Sequence, residues 1–196
     1  MPLSYDAPEG DTIGISLIRH PATGTRTGSL VINPGGPGGS GIEYVRAAQY
    51  VVTPQVIEHY DLIGFDPRGV GLSTPLHCFT GPQIDALLAT DGTPDTPGEV
   101  QAIVDTAAIV SDSCVKGDPR LIRHMSTQDV ARDLDRIRAA LGESTLDYLG
   151  KSYGTFLGLI YAELFPRQVG RFVLDGVLPP QADGDAIALG QAHGFE

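Results

Sequence analysis

Apolar residues along the chain gather in short runs that end at glycine, and stretches with helical spacing separate the runs. Leu30, Val31 and Ile32 form the first run, which stops in Asn33-Pro34-Gly35-Gly36-Pro37-Gly38-Gly39-Ser40-Gly41. No helix or sheet ladder tolerates that composition, so a strand gives way to a glycine loop. Ile42, Val45 and Ala48 recur at helical spacing, and residues 60–65 form a second buried strand that ends at Asp66-Pro67-Arg68-Gly69. Strand, loop, helix and strand make a βαβ unit.

Residues 74–97 are turn-rich, and Val100, Ile103, Val104, Ala107 and Ala108 then share one helical face with Cys114 close to the same side. The stretch 74–120 is expected to be a surface excursion. Ser126 with Asp129 has the form of a capping box, and Val130, Leu134, Ile137 and Leu141 follow it before the stop at Gly142. Residues 146–149 read as a third strand. A helix apolar on nearly all sides spans 152–165 and ends at Pro166, and a fourth strand covers 171–174. Ile13, Ile15 and Leu17 alternate with polar positions, which predicts a half-exposed antiparallel edge strand over 13–18. Strands alternating with helices specify an α/β fold, a doubly wound and mainly parallel sheet with helices on both faces.

Composition narrows the classes of function. The chain carries 24 acidic and 13 basic side chains, a formal net charge of −11, and its Lys and Arg residues stand singly. That charge repels a phosphate backbone, so nucleic acid is not an expected partner. No run approaches the roughly 18 uninterrupted apolar residues that span a bilayer, so no membrane partner is expected. With 25 glycines and 15 prolines but 41% hydrophobic residues and no G-X-Y period, the chain is neither collagenous nor disordered. Met1-Pro2 opens on polar sequence without the charged and apolar regions of a signal peptide, so a leader was removed or the protein is cytosolic.

Cys78 and Cys114 form no C-x-x-C or Cys/His cluster, so no metal site and no cofactor are expected. Two cysteines permit either one disulfide, which would stabilise by roughly 4 kcal/mol, or two buried thiols. A bridge would place the protein in an oxidising compartment.

Gly150-Lys151-Ser152-Tyr153-Gly154 is a G-x-S-x-G sequence between a predicted strand and a predicted buried helix, the context that makes the motif specific. Ser152 is the candidate nucleophile. The tight turn aims its hydroxyl out of the sheet, and the helix dipole favours negative charge developing on a substrate oxygen. The glycine loop lacks the G-x-x-x-x-G-K spacing of a phosphate cradle and the G-x-G-x-x-G of a dinucleotide site. It suits an oxyanion loop, whose N–H groups would converge with that of Tyr153.

Taken together, 33–41, 66–73, 150–155 and 174–177 resemble the α/β-hydrolase peptidases of the proline-iminopeptidase and tripeptidyl-aminopeptidase type, over residues 5–180. The resemblance implies acyl-enzyme cleavage of short peptides from a free N-terminus by an exported, secreted or cell-surface protein. It implies one oxyanion donor at Gly36, with Gly35 the neighbouring candidate, and a second at the Tyr153 amide. Asp66 and Arg68 match a motif that shapes the floor of the site, and they are read as structural, a buried Asp/Arg pair that fixes loops. It assigns Asp175 to the scaffold, although some enzymes of this fold take their acid from such a strand end.

A seryl hydroxyl needs a positioned base, and the chain order in this fold is Ser, then acid, then His. His20, His59, His77 and His124 precede Ser152, and only His193 follows it. His193 is expected on an exposed helix that opens a cap at 181–196. Residues 1–180 therefore read as the amino-terminal part of a hydrolase core, inactive alone. The acid and base would come from a second polypeptide or a missing C-terminal part, and an apolar edge would lie open at the last strand. An esterase, lipase or lactonase on the same fold is the alternative, as is a non-catalytic assembly subunit. Dehalogenases and epoxide hydrolases use Asp where this chain has Ser152.

Overall fold

The computed structural model describes residues 1–181 and 184–195. Five strands form one sheet: β1 Leu17–His20, β2 Gly28–Asn33, β3 Tyr60–Phe65, β4 Leu146–Lys151 and β5 Val169–Asp175. Their order is β1-β3-β2-β4-β5, with β1 antiparallel to β3 and all other pairs parallel. Alternation within the strands divides the core. Val31, Ile63, Phe65, Leu146 and Tyr148 face helices α5 Thr127–Ala140 and α6 Tyr153–Leu164, whose Leu134, Ile137, Leu157 and Tyr161 are fully buried against them. Ile32, Leu62 and Leu149 face the other way, under α1 Gly41–Arg46 and α2 Pro54–His59. The sheet is thus doubly wound, and burying each of these Leu or Ile side chains stabilises by about 1.5–3 kcal/mol.

The edge strand is antiparallel, as its alternation implied, but it begins at Leu17 rather than Ile13. The Gly14 and Ser16 N–H groups donate instead to the hydroxyls of Thr74 and Ser73, at 3.0 and 2.8 Å, which takes 13–16 out of the ladder. The excursion at 74–120 holds two helices, α3 Gly81–Leu88 and α4 Pro97–Gly117, neither with a buried residue, and Cys78 and Cys114 are bridged. Helix α3 lies where turns were expected. Its start is a capping box in which Thr80 and Gln83 exchange bonds across Gly81-Pro82.

The Ser126 cap is half as expected. Its hydroxyl oxygen accepts the Asp129 N–H at 3.1 Å, but the short Asp129 side chain reaches only as far as that same hydroxyl. Strand β5 is the open edge of the described sheet, and Val173 on it is 58% exposed. Of the segment 181–196 expected to open a cap, residues 182, 183 and 196 lie outside the described residues, and α7 Gly184–Phe195 occupies most of the rest. Among the described residues no helix is long and apolar enough to cross a membrane.

Candidate active site

Ser152 sits between the last residue of β4 and the first of α6, with φ 53° and ψ −124°. A non-glycine residue at positive φ costs free energy that the surrounding structure must supply. It does so through several bonds. The Ser152 N–H donates to the Asp175 carbonyl at 2.9 Å, and the Ser152 carbonyl accepts from the Thr155 N–H at 2.8 Å and the Thr155 hydroxyl at 2.7 Å. Thr155 Oγ1 in turn accepts the Leu178 N–H at 2.9 Å, tying the bend to the loop after β5. The buried Tyr148 hydroxyl donates to the Gly154 carbonyl at 2.8 Å, and burial pushes that phenol well above its ordinary pKa, so it remains a donor. Ser152 itself is exposed, and its side chain makes no capping bond to the helix.

The glycine loop packs directly on this bend. Gly35, at φ 91°, approaches so closely that a Cβ there would strike the Lys151 carbonyl and lie 2.9 Å from the Tyr153 nitrogen. Its own N–H is occupied, donating to Asn33 Oδ1 at 2.9 Å. The next N–H, of Gly36, has no backbone partner among the described residues. Tyr153 is the first residue of α6, so its N–H has no acceptor within the helix. The two neighbouring candidates in the loop thus differ: Gly35 orients the loop, and Gly36 leaves a donor open.

Asp66 and Arg68 hold loops in place, but they are not each other's partners. The Asp66 carboxylate accepts from Ser40 Oγ at 2.6 Å, the Ile42 N–H at 3.3 Å and the Leu72 N–H at 2.9 Å, joining the glycine loop to the 66–73 turn. Arg68 is completely buried and grips Asp133 with Nε and Nη2, both at 2.7 Å. Its remaining N–H groups donate to the carbonyls of Leu3, His124 and Pro2, so all five donors are used. Asn33, Tyr148, Thr155 and Asp133 were absent from the sequence-derived site. The Asn33-Pro34-Gly35 turn signal marks Asn33, whereas Asp133 carries no local signal of its partner.

Asp175 is exposed and pairs with Lys151 at 3.2 Å. That carboxylate, with Tyr44 nearby, raises the Lys151 pKa. His20 and His59 lie against the carbonyls of Pro21 and Thr25, His77 is exposed, and the His124 carbonyl belongs to the Arg68 cluster. His193 is exposed on α7.

The family described as alpha/beta hydrolase fold matches residues 28–196. Serine protease Hip1 of Mycobacterium tuberculosis is 45% identical over 198 residues, covering 100% of this chain and 38% of the relative. A tripeptidyl aminopeptidase of Streptomyces lividans is 40% identical over 188 residues, covering 93% of this chain and 35% of the relative. A carboxylesterase B of Mycobacterium tuberculosis is 39% identical over 199 residues, covering 100% and 38% respectively. The chain therefore spans little more than a third of the length of these relatives. Among solved structures, a marine microorganism esterase superposes with a TM-score of 0.54 at 14% identity, over 94% of this chain and 49% of the esterase, a likeness of fold.

Proposed function

From the premise that this chain belongs to the α/β-hydrolase fold family, we propose that it carries the nucleophile and the oxyanion donors of a serine peptidase that releases short peptides from a free N-terminus. The observation that carries the reading is Ser152 itself, an exposed hydroxyl on a positive-φ bend at the end of a parallel strand, with open N–H groups beside it. Ser152 Oγ attacks the carbonyl carbon and its proton passes to a base. The carbonyl oxygen becomes an oxyanion and accepts from the Gly36 and Tyr153 N–H groups. Collapse expels the peptide amine, which takes the proton, and water then hydrolyses the acyl-serine by the reverse sequence of proton transfers. Donors of this kind contribute about 10²–10³ in rate each.

The base and its orienting acid come from a second polypeptide or from a C-terminal part beyond these residues, in the order usual for the fold. Residues 1–180 form the amino-terminal part of the core and 181–196 open the cap. The missing part pairs with β5, and this chain alone is inactive. The Cys78–Cys114 bridge supports an exported protein. The relatives named serine protease and tripeptidyl aminopeptidase support peptide over ester substrates. The relative named carboxylesterase B favours a second reading, ester hydrolysis at the same serine.

Full-length protein offered tripeptide anilides and a 4-nitrophenyl ester separates the two. The peptidase reading expects anilide cleavage that stops when the tripeptide N-terminus is acetylated and is lost in Ser152→Ala. Turnover of the ester alone would contradict it and support the esterase.

A further inference from the structure

Beside the bend lies a cleft of about 220 Å3, walled by Pro37 and Gly38 of the glycine loop, Pro67 and Val70 of the following turn, Met125, and Tyr153. That is below the roughly 300 Å3 at which pockets begin to hold a whole small molecule, and it suits one side chain. Two of its walls are the segments that bear the oxyanion donors. Tyr153 supplies an N–H to the site and a ring to the cleft, and Gly38 stands two residues after Gly36.

The chemistry of the lining decides what fits. Arg68 and buried Val130 complete the floor. An arginine there would ordinarily select a carboxylate. This one cannot, because its five N–H groups are spent on Asp133 and the Leu3, His124 and Pro2 carbonyls. The Tyr153 hydroxyl is likewise engaged with Thr127 Oγ1 at 2.8 Å. The cleft offers an incoming group mostly apolar surface, and both polar side chains on its wall already have partners. An ionised group entering it would lose water and meet no unpaired opposite charge, because the Arg68 guanidinium is already matched by Asp133.

We propose that this cleft is a specificity pocket that receives an uncharged, apolar side chain from the residue donating the scissile carbonyl. The inference rests on the peptidase reading above and names the side chain that reading leaves open. Val70 and Met125, both half-buried, set its width. Met125 packs on Gly69, where a Cβ would meet its sulfur at 3.0 Å, and its flexible thioether lets the wall adjust.

The test uses the full-length protein and a series of free tripeptide anilides bearing Ala, Leu, Phe or Asp at the scissile position, with kcat/KM for each. Wild type is expected to prefer Leu to Asp by about tenfold or more. Val70→Trp, which narrows the cleft, is expected to lower kcat/KM for Leu by about tenfold while Ala stays within about threefold. Met125→Ala, which widens it, is expected to raise Phe relative to Leu. Equal losses for Ala and Leu in Val70→Trp, with Ser152 still labelled by a fluorophosphonate at the wild-type rate, would overturn the proposal. If Val70→Trp does not fold, an unchanged Phe to Leu ratio in Met125→Ala overturns it. Failure of wild-type Ser152 to label is a different result: it removes the peptidase reading, and the pocket with it.

Discussion

The Ser152 N–H donates to the Asp175 carbonyl at 2.9 Å, so the bend at Ser152 is pinned to the last residue of the neighbouring strand through the main chain. The Asp175 carboxylate takes no part in that bond. It points instead to Lys151, in an ion pair open to solvent, and such pairs contribute only about 0–1 kcal/mol. Asp175→Asn is therefore expected to keep kcat/KM of the full-length protein within about threefold of wild type. Loss of the acid of a catalytic triad costs about 10⁴ in kcat. A loss on that scale would make Asp175 the acid and overturn its assignment to the scaffold.

Gly35 is where the glycine loop meets the bend, and its requirement for glycine is double: φ is 91°, and a Cβ would strike the Lys151 carbonyl. Gly35→Ala is expected to push the loop off the bend. A displacement of about 1 Å at a reacting centre can cost on the order of 10²-fold. The measurement is kcat/KM for a tripeptide anilide. Gly142→Ala, outside the site, is the control, since its φ of 75° brings similar backbone strain while its Cβ would have nothing within 4 Å. Equal effects from the two substitutions would contradict the steric account.

Arg68 and Asp133 are 65 residues apart in sequence and buried together. Removing one partner leaves the other charge buried, so Asp133→Ala should lower unfolding free energy by about 3–5 kcal/mol, read by urea denaturation. Because the pair joins the amino-terminal segment, the 66–73 turn and α5, the variant should also free residues 1–5 to amide exchange. A change below about 1 kcal/mol would show that the cluster is not the clamp its geometry implies.

Asp61 gives the pH dependence. Burial raises its pKa, but the Ala22 N–H at 2.9 Å and the guanidinium groups of Arg26 and Arg19, at 2.6 and 2.8 Å, outweigh that and hold the carboxyl below its ordinary value. A depressed carboxyl contributes stability that is fully present above the unfolded-chain pKa of about 3.9 and is lost as pH falls through the folded value. Asp61→Asn is expected to be less stable than wild type by about 1.5–3 kcal/mol at pH 7. The gap should close as pH drops below about 4. A gap constant from pH 7 to pH 3 in denaturant titrations would contradict the assignment.

Patterns that repeat along the chain were legible, and pairings across it were not. Short apolar strands such as Leu30-Val31-Ile32, alternating with helical stretches, announced a sheet covered by helices on both faces, and G-x-S-x-G between strand and helix announced the bend at Ser152. The start of α3 was equally local, because Thr80 and Gln83 carry a capping box, but Gly81-Pro82 between them reads as a turn. The edge strand slipped from Ile13 to Leu17 because hydroxyls of Ser73 and Thr74, some 60 residues away, compete for its N–H groups. Nothing near Arg68 in sequence marks Asp133 as its partner. Nor does the glycine run itself say that Gly35 spends its N–H on Asn33 while Gly36 keeps its own open.

The account stands most directly on the reactivity of a single oxygen. Full-length protein treated with a fluorophosphonate, digested and sequenced by mass spectrometry should carry the phosphonyl group on Ser152 and lose it entirely in Ser152→Ala. Modification at another residue, or none in protein that hydrolyses a tripeptide anilide, would contradict it.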